Sequence, residues 1–373
     1  MLAQGFLRSP IAHRTELDRA LGWAVREVRM LAAATPSNLV EERRRLLSGL
    51  ERGDPPVPRF VYAPADRREL RRGLEILIRG VPSVVEADLA EIYRARIEEL
   101  DLEARIAEAS GSRLLGELSN QRFGDDDAVT GARTTALAQE WLAIPPSASG
   151  RSIPSDSADP ESLVSQMRRE VGALRLPFRV EVRDSLSSRA ATGERTIWVG
   201  KGRALTEREA RRIVVHEVLG HALPRARAAR RSPIFAIGTA RGADDQEGLA
   251  LLLEARSGLL DGARRRELAA RHWAVEGMSR GAAFADIVGP LVRDHRFSME
   301  AALAVAERAY RGGDGRCPGL GRERVYLGAW LRLREHLARR PLDEGVLASG
   351  QVALRAVGAL SREGDAHGAE DCH

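Results

Sequence analysis

Apolar residues recur every three or four positions over most of the chain, the spacing of one face of a helix. Over residues 20–31 the stripe is Leu21, Ala24, Val25, Val28 and Leu31. Pro36-Ser37-Asn38 interrupts it and offers caps for a following helix. The Pro-rich run from Asp54 to Pro58 leads into Arg59-Phe60-Val61-Tyr62, which reads as extended. Helical periodicity returns over 66–79 and 84–109, with glutamate and arginine partners on the outward faces. At Pro145 the pattern changes. Residues 145–160 are rich in Pro, Ser, Gly and Asp, the composition of a loop or linker. After a helix over 161–174, Phe178-Arg179-Val180-Glu181-Val182 alternates, and so does Thr196-Ile197-Trp198-Val199. That period of two predicts a small sheet with a turn near Gly193. From Thr206 the chain is helical again, opened by the capping box Thr206/Glu209. The expected class is α+β and predominantly helical. A helical region over 1–144 packs on a second region over 161–363, joined by 145–160, and a polar tail over 364–373 is expected to be disordered.

Composition narrows the functions available. No apolar run approaches the roughly 18 residues of a membrane span, and mean hydropathy is −0.28. The first eight residues lack the charged and apolar regions of a secretory signal. Two cysteines, Cys317 and Cys372, cannot staple a chain of 373 residues, so a reducing cytoplasm is expected. The net charge is +5, and among 58 basic residues Lys201 alone is lysine. The 53 acids are interleaved with the arginines, as in Glu41-Glu42-Arg43-Arg44-Arg45, which describes solvated helix faces rather than a nucleic-acid surface. Neither nucleic acid nor a membrane is expected as a partner. There is no repeat of solenoid period and no phosphate-binding loop.

The chemistry concentrates in Ile213-Val214-Val215-His216-Glu217-Val218-Leu219-Gly220-His221. Two imidazoles with a carboxylate beside the first suit a metallohydrolase, in which the histidines hold zinc and the carboxylate acts as base. Positions i and i+5, however, lie about 140° apart on an α-helix, too far round for one ion. The helix must therefore widen as a π-bulge or unwind. Gly220 stands where that departure is cheap, and Pro224 marks the expected end of the helix. A catalytic zinc needs a third protein ligand and an open position. Downstream, Glu247 and Glu254 are seven residues apart on one helical face, behind Asp244 and Asp245 at the helix start, where the dipole favours acids. Glu254 reads as a paired helix acid. Glu247, beside Gly248 in an apolar helix, reads as the third ligand.

These two motifs in this order resemble a metallopeptidase family known by the sequence Gln246-Glu247-Gly248-Leu249-Ala250. Its bacterial members are labelled flavohemoglobin expression-modulating QEGLA-motif proteins, and its eukaryotic relatives are tubulin tyrosine carboxypeptidases with an HExxxH zinc motif. The resemblance covers most of the chain. Early landmarks are Pro36-Ser37-Asn38, Pro58-Arg59-Phe60-Val61-Tyr62 and Leu118-Ser119-Asn120-Gln121-Arg122-Phe123-Gly124; late ones are Arg308 to Gly313 and Val325 to Gly328.

The resemblance implies a zinc-peptidase-like unit with one zinc ion on His216, His221 and Glu247, Glu217 as general base, and a small sheet beside the HExxxH helix. It also implies that Arg308 and Arg311 bind the substrate, the latter as a bidentate clamp on a terminal carboxylate. Tyr310 or Tyr326 would donate to the developing oxyanion. The same side chains serve equally as buried tyrosines, or as arginines paired with Glu307 or Glu323.

Three departures, Leu219-Gly220 for Gly-Thr and Arg322 and Gln351 for lysines, leave the metal site intact and the substrate preference open. The expected function is a zinc carboxypeptidase acting on a peptide or protein C-terminus, acidic ones included. A zinc endopeptidase and a non-enzymatic regulator with a structural or vestigial metal site are the alternatives. Arg225, Arg227, Arg230, Arg231 and Arg241, with no acid among them, form an expected electropositive rim for peptide carboxylates on the loop between two ligands. Of the other histidines, His272 reads as a core residue. Cys317 reads as a passive thiol.

Overall fold

The stripe around Leu21 folds as the helix Arg14–Val28, stopped where Arg29 turns left-handed at φ 46°. In this computed structural model, residues 11–368 are described, apart from 126, 147–149, 185 and 187, with side chains to residue 362. Of the tail expected to be disordered over 364–373, residues 364–368 close the helix Val357–Gly368, and 369–373 lie outside the described residues. Met1–Ile144 with Arg265–Gly328 form one compact unit; Pro145–Arg264 with Ala329–His373 form a second. The fold is mainly helical with small sheets, as the alternating patterns require. No helix among the described residues is long and apolar enough to cross a membrane.

In the first unit the two long periodic stretches fold as Arg68–Val84 and Ala87–Glu108, somewhat offset from the predicted ends. They bury Leu70, Leu74, Leu77 and Val81 against Leu89, Tyr93, Ile97 and Leu100. One expectation fails locally. Asn38 precedes the helix Leu39–Glu51 but makes no side-chain cap. Its amide instead donates to the Arg59 carbonyl (2.8 Å) and accepts from the Val61 N–H (2.9 Å). Among the described residues the extended segment after the prolines has no strand partner, so the side chain satisfies backbone groups that a sheet would otherwise pair.

In the second unit, the stretch read as a linker carries a strand: β1 (Ser152–Pro154) pairs antiparallel with β5 (Ala204–Thr206). The predicted sheet consists of β2 (Arg179–Arg183), β3 (Ala190–Thr192) and β4 (Thr196–Gly200), in the order β2-β4-β3. β3 and β4 form a hairpin closed by the Gly193 N–H donating to the Thr196 carbonyl (2.8 Å). Its inward residues, Val180, Ile197 and Val199, share a core with Leu163, Val164 and Met167 of the helix Leu163–Ala173. Ile213, Val218 and Ala222 of the histidine-bearing segment belong to the same core. That burial fixes which face the segment turns away from the sheet.

Candidate metal centre

The histidine-bearing segment is one continuous helical run. The capping box Thr206/Glu209 opens the α-helix Glu207–Val214, which passes into a π-helix over Val215–Ala222 and returns to α-helix over Leu223–Ala228. The widening that the five-residue spacing demanded is present. With i→i+5 bonds, His216 and His221 stand one above the other, their rings edge to face with centroids 4.9 Å apart. Pro224 does not end the run. It sits at the first turn of the returning α-helix, where a missing N–H is tolerated. The histidines thus lie in mid-helix, not at its end, and the arginines after them lie partly on helices rather than on a loop.

Gly220 has a different task from the one its flexibility suggests. A Cβ there would lie 2.6 Å from the Ala250 Cβ, so glycine is what allows the π-helix to touch the facing helix Gly242–Arg256. Gly248 does the same for the other side of that helix, where a Cβ would meet the Ala329 backbone at 2.6 Å. Between these contacts Glu247 reaches the histidines. Its Oε2 lies 3.2 Å from the His216 Nε2 and 3.6 Å from the His221 Nε2. Neighbouring ligands of a tetrahedral ion bound at about 2.1 Å stand roughly 3.4 Å apart, which these two distances bracket. All three donor atoms lie within 4.8 Å of one another.

The opposite ring nitrogens identify the tautomers. The His216 Nδ1 meets the Glu254 Oε1 at 2.8 Å, and the His221 Nδ1 meets the Gln246 Oε1 at 3.0 Å. Both partners are acceptors, so each Nδ1 carries the hydrogen, and both Nε2 lone pairs face Glu247. Two lone pairs and a carboxylate converging in a buried space can hold a cation between them. The residues present therefore fit a metal ion. Glu254 is buried against Arg264 (3.0 Å) and Arg212 (3.7 Å). Although its desolvation works the other way, Arg264 and His216 hold its carboxyl down to about 2.

Without metal, a proton takes the cation's place. Burial disfavours the charged imidazole, yet Glu247 and Glu254 hold His216 up to about 9. A folded-state pKa above the ordinary 6.5 contributes stability that is complete below pH 6.5 and lost as pH rises through 9. Chelated protein should therefore melt at falling temperatures across that window, followed by circular dichroism. A His216→Gln variant should show no such slope.

Glu217 precedes the buried Val218 and is itself half-buried. The Thr192 hydroxyl, on the edge strand β3, donates to its Oε2 at 2.7 Å. Sequence reasoning passed over Thr192, because nothing in a three-residue strand marks it. Gln246 was visible as the first letter of the second motif, and Glu254 by its seven-residue spacing from Glu247.

Arg308, Tyr310, Arg311 and Tyr326 belong to the first unit. Arg308 pairs with Glu323 at 3.3 Å, and the buried Tyr310 donates its hydroxyl to the Ala282 carbonyl. Tyr326 accepts from Arg322 at 3.4 Å. Burial and the neighbouring Arg308 push the Arg311 guanidinium down to about 10. His272 is a core histidine, as expected, pushed down to about 4 by burial.

Compared with known families, residues 51–362 match the model described as microtubule-associated tyrosine carboxypeptidase. No curated protein matches the chain.

Proposed function

The chain belongs to the microtubule-associated tyrosine carboxypeptidase family, and on that premise we propose that it is a zinc carboxypeptidase releasing the C-terminal residue of a peptide or protein, tyrosine first among the candidates. The observation that carries the reading is the convergence of both Nε2 lone pairs on Glu247, with Glu217 next to His216 in the chain. Among the described residues three protein donors meet, the ligand number of a catalytic rather than a structural ion. The Gln246–Ala250 motif supports a place among the bacterial QEGLA-motif relatives, and the scarcity of cysteine supports a cytoplasmic setting.

His216, His221 and Glu247 would hold the ion. When bound, zinc supplies Lewis acidity to a scissile carbonyl and lowers the pKa of water. Glu217 takes the proton of the attacking water and returns it to the leaving amine. Thr192 holds one oxygen of Glu217, leaving the other to accept that proton. Gln246 and Glu254 keep the rings aimed. Arg308 and Tyr310 are committed to Glu323 and Ala282.

Zinc-loaded protein should release free tyrosine from peptides ending in tyrosine. Chelator should stop the release, and zinc should restore it, with the products read by mass spectrometry. Cleavage confined to internal bonds, or release unaffected by chelation, would sink the reading.

A further inference from the structure

Arg225 lies four residues beyond His221, where the helical run has returned to α, one turn further on. Its Nε is shut off from solvent and has no hydrogen-bond partner. Among the described residues no carboxylate stands within ion-pair distance of it. Burial pushes its guanidinium down, opposed by Glu194, in the β3–β4 turn that follows Thr192, and then by Glu217. Its neighbours in the sequence differ. Arg227 reaches the Ala348 carbonyl, Arg230 is exposed, Arg231 lies over the Phe235 ring, and Arg241 lies 3.8 Å from Asp244.

A guanidinium nitrogen shut off from solvent with no acceptor is costly, and such a group marks a place where a ligand can supply one. The chemistry of the leaving group says which acceptor that is. Glu217 must reach the nitrogen of the departing residue to return its proton. In an exopeptidase reaction the free carboxylate sits on the carbon next to that nitrogen. Arg225, one turn beyond His221 on the run that also carries Glu217, stands on the side of the helix where that carboxylate must lie. We propose that Arg225 binds the free α-carboxylate of the substrate's C-terminal residue, and so makes the enzyme measure the chain end. The expected electropositive rim narrows to this one side chain. The inference rests on the carboxypeptidase reading above.

The test is calorimetric, with zinc-loaded Glu217→Gln protein, N-acetyl-Glu-Tyr as probe and its C-terminal amide as comparison. The free acid should bind at least about 10-fold more tightly than the amide, the gain of a charge-assisted contact. Adding Arg225→Met, or Arg225→Gln should that variant fold poorly, should bring the two within about twofold. Adding Arg311→Met should leave the preference in place. The proposal is overturned if the preference survives both Arg225 variants, if Arg311→Met abolishes it, or if the parent shows none. Failure of the function itself looks different: the wild-type protein releases no residue from any peptide, while an acid preference dependent on Arg225 persists.

Discussion

Glu217→Gln should retain its full complement of zinc and lose about 10²- to 10⁴-fold in kcat on a peptide ending in tyrosine. The substitution keeps shape and removes the one property that the reaction needs, a carboxylate able to accept and return a proton. Metal content should hold because the donors are His216, His221 and Glu247, and their supports are Glu254 and Gln246. Glu217 lies outside that set and accepts from the Thr192 hydroxyl. Zinc analysis beside steady-state kinetics checks both halves. Undiminished turnover would remove Glu217 from the mechanism, and loss of zinc would make it a metal-site residue instead.

Glu254→Ala should be the most damaging change outside the ligands themselves. The carboxylate is fully buried, accepts from His216 and is the negative charge against which Arg264 and Arg212 are buried. Removing one partner of such a cluster costs about 3–5 kcal/mol, because the remaining charges keep their desolvation without their compensation. At about 2–4 °C per kcal/mol for a unit of this size, melting should drop by roughly 10 °C. Zinc affinity should fall about 10- to 100-fold, since His216 loses the acceptor that fixes its ring. Glu254→Gln separates the two effects. It keeps an acceptor for the Nδ1 hydrogen but not the charge, so affinity should suffer less than stability. Denaturant melts and competition with a zinc chelator distinguish these outcomes. Wild-type stability in Glu254→Ala would show that the arginines find their compensation elsewhere.

Much of the site was legible in the sequence because its constraints are local. The spacing of His216 and His221 on an α-helix is incompatible with one ion, so a π segment follows from residue numbers alone. The alternation over β2 and β4, the capping box at Thr206 and the core role of His272 are local in the same sense. Pro224 misled because proline ends a helix only when an N–H is needed at its position. A π-to-α transition does not need one there.

What lay beyond the sequence depends on which segments meet. Glu254 read as a helix acid in need of a partner, which it is, but its partners include a ligand 38 residues earlier in the chain. Thr192 gained a role only because a hairpin edge packs beside the π-helix. Gly220 was noticed for its freedom, whereas its use is the absent Cβ against Ala250.

The sequence by itself determined the donor types, their spacing and hence the helical register, because covalent geometry and hydrogen bonding along one segment settle those. Only the tertiary structure decided which nitrogen of each imidazole is free, which acids support the site and which arginine of a basic segment has a buried nitrogen without an acceptor. Those properties belong to pairs of residues distant in the chain, and burial, which sets their strength, exists only once the segments have packed.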